Sequence, residues 1–352
     1  MANSRIVQFE GLRAIAFTSV FLFHTVHLPL GYVGVDLFFV LSGFLITRNL
    51  IALRETTTTS SAFGSFFYRR LLRILPPYYA VVAVLIALSY IPSHEAGWYL
   101  SFTSNIRDSV KPTLEGPQTT FWSICVEEQF YLVWPFVVLL IPRRALVPVI
   151  SGAIVAALFV RWALSGNDDA VYRLTISRMD CLGAGSLLAL VEAKKPFALH
   201  RMLRPALAIG ALAIGAFGAL YAQPGFRYYV QNPLYDTVGY ALTTAVCTCL
   251  LVAVYCAPPA FLSNRVLRYI GMISYAAYLW HPLVLDQVHR LHLRGPATAV
   301  VAYAFTLLVA SASWYLLEQP LQRFRDRVKP ERVRKKLRTT VLTGPRIAPA
   351  TF

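Results

Sequence analysis

Two ionisable residues, Arg13 and His24, interrupt the first apolar run of the chain. About eleven residues at about 100° each return to within about 20° of the starting direction and rise about 16 Å, so the two share one helical face. The spacing places Arg13 near one end of the span and His24 deep within it. Imidazole has the unperturbed pKa nearest neutrality, so a neutral His24 can take the proton of a hydroxyl as a general base. A histidine that only hydrogen-bonds between helices fits the residue equally well.

A second candidate lies in FWSICVEEQFYLVWPF, where Glu127 and Glu128 stand side by side in an apolar stretch. Ser123, Glu127, Tyr131 and Trp134 recur at helical spacing and form a stripe that can face a bundle interior. Glu128 points elsewhere, toward a partner such as an arginine. An ion pair that only ties helices together is the simpler alternative for either acid.

A third lies in FFYRRLLRILPPYY, which carries Arg69, Arg70 and Arg73. Arg70 and Arg73, three apart, share a face. Guanidinium forks bind phosphates bidentately, so the cluster suits an anionic, phosphate-bearing donor; a topology signal explains the same residues.

In SYAAYLWHPLVLDQV, Tyr278 and His281 precede a proline, an arrangement that an aromatic belt at the outer interface would also produce. Asp36 and Asp180 are two more acids without evident solvent, and Asp180 has Arg178 nearby as its simplest partner. Asp36, Trp122, Ser123, Glu128, Tyr131, Asp180, Tyr278 and His281 thus form a wider set for acceptor binding or support. His289 and His292 are too few for a metal site, so no metal is assigned. The five cysteines lie in or beside apolar stretches without C-x-x-C spacing, which points to neither a disulfide framework nor a zinc site.

The elements that must hold these residues follow from composition. Of the 352 residues, 57% are hydrophobic and 14% charged. A soluble protein has about 25% charged residues, so the chain reads as an all-α integral membrane protein. Stretches near the length of a spanning helix recur ten times: Leu12 to Leu30, Gly34 to Leu50, Ile74 to Ile91, Phe121 to Ile141, Leu146 to Leu164, Met179 to Val191, Leu203 to Tyr221, Thr237 to Ala257, Ile273 to Val288 and Ala297 to Leu317. The first run carries Arg13 and His24 and no small-x-small cleavage site follows, so it is expected to remain as the first span. Arg54 to Ser65 reads as a short polar linker, and Pro92 to Thr120 as a longer outer loop.

The net charge of +16 lies between apolar runs and not on one face, which argues against nucleic acid as a partner. Cytoplasmic loops collect Lys and Arg. With the N-terminus inside, the inner loops hold 25 of the 33 Lys and Arg residues and the outer loops 8; without the tail the inner count is still 15. The expected topology is therefore N-in and C-in. Residues 1–325 are expected to form the membrane domain and 326–352 a basic cytoplasmic tail; the dense run from Arg323 to Arg338, which spans that boundary, suits an anionic leaflet or a stop-transfer signal.

Together these segments resemble the acyltransferase family 3 of integral membrane proteins, over roughly Arg5 to Arg325. The resemblance rests on Arg13 and His24 in an R-x10-H signature, GYVGVDLFFVLSGFLIT, FYRRLLRILPPYY, FWSICVEEQFYLVWP, RMDCLGAGSLLA and SYAAYLWHP. It implies transfer of an acyl group, usually acetyl from acetyl-CoA, to a hydroxyl of a carbohydrate or other extracytoplasmic product in bacteria. It maps the key histidine to His24, the paired arginine to Arg13, the basic stretch to Arg69, Arg70 and Arg73, and the acidic motif to Glu127 and Glu128. Cys125 stands where relatives often carry Ser and is not expected to act as a nucleophile. Nothing in the chain resembles the soluble esterase-like domain fused to some members, so a relay ending on such a domain is not expected.

The resulting expectation is a membrane O-acyltransferase of the bacterial inner membrane, with His24, Arg13 and Glu127 catalytic and acyl-CoA as co-substrate. No bound cofactor is implied, and the partners are membrane lipid, acyl-CoA and a glycosylated acceptor. The competing reading is a transporter or flippase of a glycan or lipid-linked sugar, which moves its substrate without consuming acyl-CoA.

Overall fold

Each of the ten apolar stretches falls on a helix in the computed structural model, which describes residues 7–111, 116–194, 198–226, 232–291 and 296–327. The helices are α1 (Val7–Val26), α2 (Val33–Thr56), α3 (Thr59–Ala87), α4 (Phe121–Leu140), α5 (Arg143–Ala163), α6 (Met179–Lys194), α7 (Leu203–Tyr221), α8 (Tyr240–Cys256), α9 (Arg265–His289) and α10 (Pro296–Ser313). No strand occurs among the described residues. By length and composition, seven helices can cross a membrane: α2, α3, α4, α5, α7, α8 and α10, some with a flanking turn. The other three are α1, which carries Glu10 and Arg13; α6, with only 16 residues; and α9, which carries Arg265, Arg268 and Asp286. Most of the basic tail, together with His292, lies outside the described residues.

The boundaries differ from expectation where capping and proline chemistry outweigh hydropathy. Residues 54–65 are not a linker. α2 continues to Thr56, and α3 starts at Thr59 under the Thr58 hydroxyl, which accepts from the Ser61 amide at 3.4 Å. Arg69, Arg70 and Arg73 therefore sit within a helix. Pro76 and Pro77 follow inside the same helix and remove the amides that would bond to the Leu72 and Arg73 carbonyls. α1 ends at Val26, four residues earlier than expected, because His27 and Leu30 adopt left-handed backbone with φ of 52° and 63°. Residues 92–120 are not plain loop either: short helices at Ala96–Leu100 and Ser104–Val110 pack over the helix ends.

The core forms where helix backbones come closest. A Cβ on Gly43 of α2 would lie 2.0 Å from the Leu182 carbonyl of α6, and one on Gly185 of α6 would lie 2.0 Å from the Val40 carbonyl of α2. Only glycine permits this approach, the usual way apolar helices associate in lipid. Gly271 does the same for α9 against Glu10 of α1. At the other extreme, α5, α7 and α10 expose Phe159, Leu212, Ile214, Val300 and Leu308, as lipid-facing helices should.

Two buried ion pairs tie this frame together. Arg178 pairs with Asp36, which also accepts from the Thr243 hydroxyl at 2.7 Å; Arg161 pairs with Asp180 at 2.9 Å, which accepts from the Thr244 hydroxyl at 3.0 Å. The expected local partnership of Asp180 with Arg178 is thus replaced. Their spacing in sequence does not direct the two side chains at each other, and each finds an opposite charge on another helix. A charge buried in a membrane bundle needs such a partner, so both aspartates hold helices together and neither lines a cavity described below.

Candidate active site

α1, α2, α3, α4 and α9 enclose a cavity of about 820 Å³, its open mouth included. Arg13, Arg70 and Arg73 line it with Ser42, Glu127, Tyr131 and Ser274. Tyr131 donates to Ser42 at 3.1 Å and Ser42 donates to Glu127, so two hydroxyls in series orient that carboxylate. Arg13 donates to the Ser274 hydroxyl at 3.2 Å, and the Arg70 guanidinium lies 4.6 Å from the centre of the Tyr131 ring. Three guanidinium groups face one carboxylate, which leaves the wall positive and suited to an anion.

The stripe predicted on α4 is largely present: Ser123, Glu127 and Tyr131 reach this cavity, while Trp134 turns to Thr47 and donates to its hydroxyl at 2.7 Å. Arg70 and Arg73 share the lining face, and Arg69 is not on it. Glu128 lies off the lining, within electrostatic reach of Arg70. Sequence reading missed Glu318, a buried acid in the π-turn after α10 whose charge acts on Arg73 and Arg13. Its only signal was an acid closing the last apolar run.

A second cavity of about 780 Å³ opens at the other end of α1 and is lined by His24, Tyr32, Thr120, Trp122, Tyr172 and Arg173, among others. His24 is not deep in a span. It lies two residues from the end of α1 and is exposed to this cavity, because the helix stops at Val26. Arg13 and His24 therefore share a face but open on different cavities, as a rise of about 16 Å requires. Val35 and Tyr278 line both spaces, and Tyr278 shares a 2.6 Å hydrogen bond with Ser123. The two cavities meet at that wall.

The sequence profile of the acyltransferase 3 family, described as an acyltransferase domain, matches residues 6–316. The chain belongs to the acyltransferase 3 family. It is 26% identical to the O-acetyltransferase OatA of Staphylococcus aureus (strain NCTC 8325 / PS 47) over 346 residues, covering 89% of this chain and 57% of that protein. It is 28% identical to the peptidoglycan O-acetyltransferase OatA of Listeria monocytogenes over 349 residues, 89% of this chain and 55% of that one. The chain thus spans little more than half the length of these relatives. No solved structure matches it.

For an acyltransferase 3 protein, the remaining candidates fall into place by burial. Tyr278 and His281 are buried and form no interfacial belt. Trp122 packs 4.5 Å from Tyr172, ring centre to ring centre, and the two present aromatic surface to the His24 cavity. Cys125 is buried against the Ser104 hydroxyl at 3.2 Å and lines neither cavity. Over the His24 end, Arg173 reaches Asp108 at 3.0 Å and Asp169 at 2.9 Å, while Arg107 pairs with Glu95 at 3.3 Å. The hydrogen bond from Arg107 holds the Glu95 carboxyl below its ordinary value; burial pushes Asp108 up against the pull of both arginines.

Proposed function

We propose that this protein is a membrane O-acyltransferase that passes an acyl group, in the simplest case acetyl, from acyl-CoA to a hydroxyl of a cell-envelope carbohydrate. The observation that carries this reading is the pair of cavities with different chemistry and a common wall at Val35 and Tyr278. The Arg13 cavity offers cationic forks for the phosphates of the donor. The His24 cavity offers aromatic faces with a few polar groups, a lining that suits a sugar. The named activities of the relatives make peptidoglycan or a similar glycan the first acceptor to try.

Transfer then proceeds at the shared wall. His24 takes the proton from the acceptor hydroxyl as its oxygen attacks the thioester carbonyl; the carbon–sulfur bond breaks, and the departing thiolate recovers a proton from the imidazolium. Arg13, Arg70 and Arg73 orient the donor. Glu127, fixed by Ser42 and Tyr131, balances their charge and positions the thioester end. Purified protein offered radiolabelled acetyl-CoA and glycan fragments is expected to label the glycan. Transport of the glycan without consumption of acetyl-CoA would overturn the proposal in favour of a carrier.

The same reading places ten spans in the bacterial inner membrane with both termini cytoplasmic, so the Arg13 cavity faces the cytoplasm, where acyl-CoA is made, and the His24 cavity faces outward. Reporter fusions check this: a cytoplasmic signal is expected at Lys194 and an external one at Gln231. A cytoplasmic signal at Gln231 would invert the assignment of that loop.

A further inference from the structure

We propose that His281 is a positioning residue for His24, holding the imidazole in its working tautomer and accepting a hydrogen bond from it when it becomes charged. This rests on the reading of His24 as the base. Pro282 lacks the amide that would bond to the Tyr278 carbonyl four residues earlier in α9. The Nδ1–H of His281 donates to that carbonyl instead, at 2.8 Å. The proline thereby sets the histidine tautomer: with Nδ1 protonated, Nε2 carries a lone pair and can only accept.

That Nε2 is buried and has no hydrogen-bond partner. Among the described residues, the rings packed on it leave one candidate donor. Phe17 and Phe21 have no polar proton, and Tyr278 shares its hydroxyl hydrogen bond with Ser123. Tyr303, packed on the same phenylalanines, shares its own with Thr18 at 2.7 Å. His24 remains, its ring centre 5.5 Å away. At that separation a turn of the His24 ring that points one of its nitrogens at Nε2 would close the gap to roughly 3 Å, a normal hydrogen bond. One His24 nitrogen then donates to His281, and the other, kept unprotonated, faces the cavity and takes the acceptor proton. The role is that of the residue that orients the base in a hydrolase triad, filled here by a neutral ring, which costs less to bury than a carboxylate.

Two substitutions separate this role from mere satisfaction of the Tyr278 carbonyl. His281→Asn keeps a donor near the position of Nδ1 and removes the acceptor; His281→Gln places a carbonyl oxygen near the position of Nε2. Positioning of His24 predicts that His281→Asn loses about tenfold or more in kcat, with little change in KM for acetyl-CoA, while His281→Gln stays within a few-fold of wild type. Activity of His281→Asn equal to or above that of His281→Gln would overturn the proposal. If His281→Asn does not accumulate as folded protein, His281→Met takes its place: it lacks the acceptor at similar volume, and activity at or above that of His281→Gln again overturns the idea. Full activity of His24→Ala would instead remove the base itself, so failure of that reading is told apart from failure of this one.

Discussion

His24→Ala is expected to lose about 10²- to 10⁴-fold in acyl transfer, the usual contribution of a general base, while its membrane level and thermal unfolding stay near wild type. The second half of that expectation comes from the structure. His24 stands two residues from the end of α1, exposed to a cavity and with its ring against those of Phe23 and His281, so its truncation removes volume at a cavity edge. A histidine tying helices together would show the opposite pattern, with folded protein and activity falling in parallel. Radiolabel transfer measured beside detergent-resistant melting distinguishes the two, and normal turnover in the variant would defeat the mechanism.

Arg70→Lys is expected to raise the KM for acyl-CoA about tenfold while the dependence on acceptor changes little. Charge alone does not account for Arg70: its guanidinium lies over the Tyr131 ring and on the cavity wall beside Arg13 and Arg73. Lysine keeps the charge that topology requires and loses both the planar stacking and the bidentate fork. Arg69→Lys serves as the control, because Arg69 is one residue off the lining face and the same swap there should leave donor binding unaltered. If lysine at both Arg70 and Arg73 leaves the acyl-CoA concentration dependence unchanged, the cluster is a topology determinant and the donor is held elsewhere.

A wall between two cavities assigns separate work to residues that lie close in sequence. Ser123 and Glu127 belong to one helix stripe, yet Ser123 meets Tyr278 at the wall while Glu127 faces the arginines. Under the proposed function, donor and acceptor would be selected independently, by guanidinium forks on one side and aromatic faces on the other, with the acyl group alone crossing between them. On this view the two predicted defects differ in kind: Arg70→Lys is rescued by more acyl-CoA, and His24→Ala is not.

By itself the sequence determined the class of fold, the helical positions of most candidate side chains and the family. Stretches near twenty apolar residues are legible because lipid tolerates no unpaired backbone, and an ionisable residue within them stands out because it is costly there. Helical periodicity sufficed to put Ser123, Glu127 and Tyr131 on one face and Arg70 beside Arg73. Only the tertiary structure decided which charges meet. Asp180 takes Arg161 on the preceding long helix, 19 residues away, and Arg178 takes Asp36, 142 residues away, because burial selects the partner whose geometry satisfies both groups. It also decided depth. Left-handed residues at His27 and Leu30 end α1 early and move His24 from the middle of a span to the edge of a cavity, which hydropathy cannot register. The approach of the His24 ring to that of His281, 5.5 Å between centres, depends on two helices packed at Gly271, where a single Cβ would force them apart.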